Sequence, residues 1–305
     1  MSYCTKLENS VLTPPALRRG SKIRIIAPSG PFDRTLFWKA IGWISRYYRP
    51  LFEPTIFTRD GFLAGTDERR RAELQLAIDD PEISAIVVAR GGWGAARLTS
   101  GVDFCGLISH PKWIVGYSDP TTLHLCAWQV GVASMHANNH VSLGRGDAQA
   151  RSAWLDALEY PDQSRVLAGQ PLCGGNASGV LVGGNLTVLF STLAAGRLRF
   201  PDNCILALED IGESSYRVDR MLHALKSSGA TDRVAAYALG QFVDCDAGKF
   251  GVSVDDVLVE QLGRAGVPVV KGLPFGHTRV NAPLPFGTRA TLNGSSGELR
   301  LGNSQ

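Results

Sequence analysis

The sequence is poor in the residues that mark metal, redox and membrane proteins. Its 305 residues include six cysteines and six histidines. Cys4, Cys105, Cys126, Cys173, Cys204 and Cys245 form no C-x-x-C pair, which argues against a zinc ribbon and a disulfide-dense scaffold, so reduced structural thiols are expected. His136 and His140 are spaced i and i+4, but no H-E-x-x-H pattern accompanies them, and no metal is expected. There is neither a G-x-x-x-x-G-K-[ST] loop nor a G-x-G-x-x-G turn, and no organic cofactor is expected. No window reaches the roughly 18 uncharged apolar residues of a spanning helix. MSYCTKLENSVLTPPALRRG has no apolar run after a basic start, so a secretory signal is not expected and a cytoplasmic location is. Lys and Arg total 31 against 28 Asp and Glu, a formal charge of +3, with no long basic run. Neither nucleic acid nor a membrane is an expected partner.

Glycine, by contrast, is abundant at 34 residues, and hydrophobic residues make up 44%, a globular composition long enough for two domains. From Lys22 short apolar runs alternate with amphipathic ones. KIRIIAPSG reads as a strand and turn, LFWKAIGWISRYY as a helix and PTIFT as a second strand. Thr66 caps DERRRAELQLAIDD. SAIVVA and WIVGY are strands, and a helix follows with Asp119 as its cap and Pro120 at its first position. This alternation implies an N-terminal parallel-sheet domain of flavodoxin/Rossmann-like α/β type over residues 1–145. Residues 146–178 lack strand periodicity and read as a connector. Residues 179–305 alternate again, from GVLVGG and NLTVLFSTLAAG to a hairpin at Asn293-Gly294, and imply a C-terminal α/β domain with a smaller mixed sheet or barrel.

Ligands in open parallel sheets bind at the carboxyl ends of strands, which directs attention to two loops. Arg90-Gly91-Gly92-Trp93-Gly94 offers glycine amides that can approach an anionic atom. Gly116-Tyr117-Ser118-Asp119 puts a hydroxyl between a strand end and a helix N-terminus. From pattern alone the first could be an ordinary turn and Ser118 a helix cap, because Pro120 replaces the second glycine of G-x-S-x-G. A serine nucleophile needs a base and a group that orients it. His277, in the breaker-rich loop FGHTRVNAPLPFG, is a candidate for that task, although a lone loop histidine is more often incidental than catalytic. Glu209 and Asp210 both end the apolar strand CILAL, and side-chain chemistry does not choose between them. Glu213 could cap the next helix.

Together these residues are more specific than any one of them. IIAPSG, FLAGTDERR, AIVVARGGWGAARL, IVGYSD, GVLVGGNLTVL, ILALEDIGESSYRVDRML and GLPFGH resemble, in order and over nearly the whole chain, the LD-carboxypeptidase family of serine peptidases, which includes the microcin C self-immunity hydrolases. The resemblance implies a Ser118-His277-Glu209 triad, an oxyanion hole of the Gly92 and Asp119 amides, and no cofactor. It implies release of terminal D-alanine from the L,D-peptide bond of murein tetrapeptides, a small peptide partner, and a homodimer. Arg90, Gly91, Trp93 and Asn185 are candidate substrate-binding residues, with Arg217 and Arg220 as further carboxylate partners. The sequence departs from the family's H-G-P at His136-Ala137-Asn138-Asn139-His140. Trp154 and Tyr160 could stack on a nucleobase, which keeps hydrolysis of an aminoacyl or peptidyl nucleotide as an alternative. A non-catalytic ligand-binding protein is the alternative of another class.

Overall fold

The structure, a computed structural model, describes residues 11–302. The chain divides into two compact units, one running to Pro161 and including Pro285–Gly287, the other formed by Asp162–Leu284 and the residues from Thr288 onward.

In the first unit β1 (Lys22–Ile26), β2 (Arg49–Leu51), β3 (Ile83–Val88), β4 (Trp113–Gly116) and β5 (Ser134–His136) lie in the order β2-β1-β3-β4-β5, with Leu284–Phe286 beyond β5. The pairings among β1 to β5 are parallel, which is the flavodoxin-like doubly wound order. Both faces are covered, which is why the strands read as continuous apolar runs. Ala85, Val87, Trp113 and Val115 pack on one side with Trp43 and Trp154. Ile86, Val88 and Ile114 pack on the other with Leu74, Ile78 and Leu123. Trp154 is therefore a core residue, its indole N–H donating to the Asn138 carbonyl at 3.1 Å, while Tyr160 is exposed.

The helices that accompany this sheet before residue 145 are α1 (Arg34–Ile44), α2 (Asp67–Asp79), α3 (Gly106–Ser109), α4 (Thr121–Gln129) and α5 (His140–Leu143). Thr66 caps α2 as expected, its hydroxyl accepting from Arg69 N. Two expectations shift. Pro54–Phe57 is a 3-10 turn and the strand precedes it, at Arg49–Leu51. Pro54 sets a helical φ at the turn's first position, and the neighbouring β1 edge selects the residues before it. The helix after β4 starts at Thr121, not Pro120, because the Asp119 carboxylate accepts from Ala95 N at 2.8 Å instead of capping its own helix.

The stretch 146–178 is ordered as α6 (Ala148–Glu159), β6 (Arg165–Ala168), β7 (Gln170–Cys173) and the start of β8 (Asn176–Asn185). Beyond it come α7 (Leu186–Ala194), β9 (Cys204–Ile211), α8 (Ser215–Ser227), β10 (Val234–Val243), α9 (Val254–Leu262), β11 (Val269–Lys271), β12 (Leu284–Phe286), β13 (Arg289–Asn293) and β14 (Glu298–Leu301). The second sheet runs β6-β14-β13-β8-β9-β10-β11-β7. Its centre, β8 to β11, is parallel and its flanks are antiparallel. The sheet is mixed, as expected, but with eight strands against six it is the larger of the two. The excess comes from β6 and β7, exposed edge strands that present no apolar alternation to read. Cys126, Cys173, Cys204 and Cys245 are thiols outside any disulfide. Cys105 is disulfide-bonded, against the expectation of reduced thiols, and Cys4 lies outside the described residues.

Candidate active site

In the first unit the loops after β1, β3 and β4 emerge side by side at the carboxyl edge of the sheet. The order change between β1 and β3 makes this edge the topological switch point. Gly30 N donates to the Gly91 carbonyl at 3.1 Å, joining the first two loops. Gly91 lies against the third: a Cβ there would stand 2.9 Å from Ser118 Cβ and 3.1 Å from its Oγ. Gly92 has φ +106, a conformation L side chains avoid. Among the described residues no acceptor meets the N–H of Gly92 or of Asp119.

Ser118 itself has φ +72, in the left-handed region that costs a non-glycine residue on the order of 1 kcal/mol. A strand, a residue forced to positive φ, and then a helix is the geometry of a nucleophile elbow, although the second glycine is missing. Gly116 allows the tight turn, since a Cβ there would meet Asn139 Oδ1 at 2.9 Å and the Pro120 ring at 3.1 Å. Asp119 is buried, and burial raises its carboxyl above the ordinary range against the neighbouring Ser29 hydroxyl, the Ala95 amide and the Arg70 charge. Arg90 is exposed and donates to the Pro31 carbonyl at 2.5 Å. Trp93 is 46% exposed.

In the second unit Glu209 is fully buried on β9, and its Oε2 accepts from His277 Nδ1 at 2.7 Å. Gly276 has φ +108, and a Cβ there would stand 2.8 Å from Glu209 Oε2 and 2.9 Å from its Cβ. The glycine before His277 is thus what lets the carboxylate reach the ring. Asp210 points elsewhere, accepting from Asn185 Nδ2 at 2.8 Å and from the N–H and hydroxyl of Thr187 at 2.9 and 2.8 Å. It fastens the start of α7, and burial raises its carboxyl too. Asn185 is the cap of α7, its Oδ1 accepting from Val188 N at 3.1 Å. Glu213 pairs with Arg217 rather than capping α8, whose N-cap is Ser214. Arg220 lies over the Tyr216 ring.

Three contributors escaped the sequence because each acts on a backbone atom, a contact that no motif in the sequence marks. Asn139 bridges the residue before Ser118, accepting from Tyr117 N at 3.1 Å and donating to Tyr117 O at 3.3 Å. Asn281 accepts from Gly276 N at 2.9 Å and so holds the His277 loop. His124 is buried between the Gly116 carbonyl and the Ser134 hydroxyl, both at 2.9 Å. His140 is buried against the Phe37 carbonyl at 3.1 Å, and His136 is buried within β5.

Burial holds the imidazoles of His124 and His140 down at about 4, from an ordinary 6.5. Their folded values lie below the unfolded ones, so their contribution is complete above pH 6.5 and is lost as pH falls toward 4, by about 3 kcal/mol each. Glu73, raised by burial to about 7, works in the opposite direction over pH 7 to 4.5. In urea unfolding between pH 7 and 4.5, His124→Gln, although less stable at pH 7, is expected to lose less stability than the unmutated protein. An equal or larger loss would remove His124 from the acid response.

The comparisons with known proteins agree with this architecture. Residues 23–137 match the LD-carboxypeptidase N-terminal domain and residues 178–292 the LD-carboxypeptidase C-terminal domain. A protein of Synechocystis sp. whose name places it among carboxypeptidases is 38% identical, over 97% of this chain and 99% of its own length. The murein tetrapeptide carboxypeptidase of Pseudomonas aeruginosa is 34% identical, over 77% of this chain and 80% of its own. The crystal structure of muramoyltetrapeptide carboxypeptidase from Oxalobacter formigenes superposes with a TM-score of 0.84 at 31% identity, covering 92% of this chain and 99% of that one. The chain belongs to the LD-carboxypeptidase family. It is a serine-type carboxypeptidase, a hydrolase.

Proposed function

We propose that this protein hydrolyses the L,D-peptide bond that holds the terminal D-alanine of murein tetrapeptides, through a Ser118-His277-Glu209 triad. The observation that carries the proposal is the Glu209–His277 pair, a fully buried carboxylate 2.7 Å from one ring nitrogen of a loop histidine. Among the described residues Glu209 Oε1 meets no donor. Keeping a carboxylate buried and half-paired is costly. It is favourable when the partner ring becomes an imidazolium during the reaction.

With Nδ1–H directed at Glu209, the basic lone pair of His277 lies on Nε2. In the proposed cycle that nitrogen takes the Ser118 proton as Oγ attacks the scissile carbonyl, then returns it to the departing D-alanine amine. The amides of Gly92 and Asp119 take the developing oxyanion, an interaction worth about 3 kcal/mol per donor in comparable sites. Water, deprotonated by His277, then attacks the acyl enzyme and frees Ser118. The shared names of relatives 31 to 34% identical support the murein substrate. A cytoplasmic place and a homodimer belong to the same proposal.

The test is a substrate panel: murein tetrapeptide, the all-L isomer, and an aminoacyl sulfamoyl nucleoside. The expected result is stoichiometric release of D-alanine from the first, with the other two slower by at least about 10²-fold. Preference for the nucleoside would replace the murein reading by the nucleotide one.

A further inference from the structure

Arg70 is among the buried charges that the mechanism leaves unused. It is fully buried on α2 and aims its guanidinium at loop backbone instead of solvent. Nη1 donates to the Pro28 carbonyl in the loop after β1 and to the Gly94 carbonyl in the loop after β3, the latter at 3.0 Å. Nε donates to the Gly65 carbonyl at 3.2 Å, and Nη2 pairs with Asp67. The Gly94 backbone, at φ +131, is shaped to lie on this group, since a Cβ there would stand 2.6 Å from Nη1. The same charge also acts on Asp119, next to Ser118, and Asp119 in turn holds Ala95 N, one residue beyond Gly94.

We infer that Arg70 is a positioning residue for the reaction: its guanidinium joins the β1 and β3 loops and thereby sets where the Gly92 amide lies relative to Ser118. This rests on the roles proposed above for Gly92 and Ser118. The physical case is that a planar guanidinium spreads five donors over a rigid fork and can bridge carbonyls on separate loops, whereas an ammonium gathers its three donors on one compact centre. A neutral side chain would leave the buried Pro28 carbonyl without its donor and the Gly94 carbonyl with the Arg97 amide alone. The loop would then be free to relax, and an oxyanion donor displaced by a fraction of an ångström loses much of its effect. Arg69, one residue earlier, shows the contrast. It serves Glu73 and the carbonyls of Ala27 and Thr55, and does not reach Gly94.

The experiment compares Arg70→Ala, Arg70→Lys and Ser118→Ala with the unmutated protein on murein tetrapeptide, with thermal melting as the check of folding. For Arg70→Ala, kcat is expected to fall by about 10² or more while KM changes less than about threefold. Millimolar methylguanidinium is expected to restore at least about tenfold of the lost kcat in that variant and none in Ser118→Ala. Arg70→Lys keeps the charge without the fork and is expected to lose kcat by more than tenfold while folded. It decides the matter if Arg70→Ala does not fold. A kcat within threefold of the unmutated value in a folded variant, a folded Arg70→Ala whose loss methylguanidinium leaves unchanged, or failure of both variants to fold would overturn the inference. Full activity of Ser118→Ala would instead overturn the triad on which it rests.

Discussion

Replacing Ser118 by alanine is expected to lower D-alanine release by about 10⁴-fold or more, the scale on which serine hydrolases respond to loss of the nucleophile. The substitution deletes one hydroxyl and keeps the backbone where it is, so the melting temperature should stay within a few degrees. Ser118→Gly makes the more telling companion. The residue sits at φ +72, which glycine adopts freely and serine does not. That variant should be as inactive as Ser118→Ala and more stable than the natural protein by about 1 kcal/mol. Loss of activity with gain of stability at one atom's distance is the signature of strain held for chemistry. Retained turnover in either variant would remove Ser118 from the mechanism, and a destabilised glycine variant would show that the turn stores no strain.

The second large effect is expected at Glu209. Glu209→Gln conserves shape in a site with no spare room, since Gly276 already lies under the side chain. What changes is the partner offered to His277 Nδ1. A carboxylate accepts only, so it fixes the proton on Nδ1, whereas an amide can also donate and trap the opposite tautomer. The expected loss in kcat is about 10² to 10⁴-fold, with KM nearly unchanged. Removal of a buried, half-paired carboxylate should leave stability equal or higher in urea unfolding. Activity within about tenfold of the natural protein would mean that His277 needs no oriented partner.

Much of this fold was legible because it is written locally. The runs Lys22–Ile26, Ile83–Val88 and Trp113–Gly116 are continuous because both faces of the first sheet are buried, and Thr66 caps its helix through an atom three residues away. The 3-10 turn at Pro54 and the strands β6 and β7 were not legible. Their state is set by neighbours that the local sequence does not contain. The same division runs through the candidate site. Pattern alone made Ser118 and His277 candidates and no more, and the choice of Glu209 over Asp210 came from family resemblance; the contact of Glu209 with His277 depends on Gly276, 67 positions from Glu209 along the chain. Arg70 did carry a readable signal: it shares the buried α2 stripe with Glu73, Leu74 and Ala77, a charge where the period calls for an apolar residue. Asn139 and Asn281 carried none, since an asparagine whose side chain holds another residue's peptide looks like any loop asparagine.

The return of residues 285–287 to the first unit bears on the order in which the protein can assemble. Synthesis delivers residues 11–161 first, with β5 as the last strand added to the sheet. The His124 and His136 rings then still lack the Phe286 ring that packs on them at 5.5 and 5.4 Å. That side of the sheet is closed only after a further 123 residues, from 162 to 284, have left the ribosome. The N-terminal unit therefore gains its last strand only after the strands of the C-terminal unit up to β11 have been made, and before that unit's own β13 and β14.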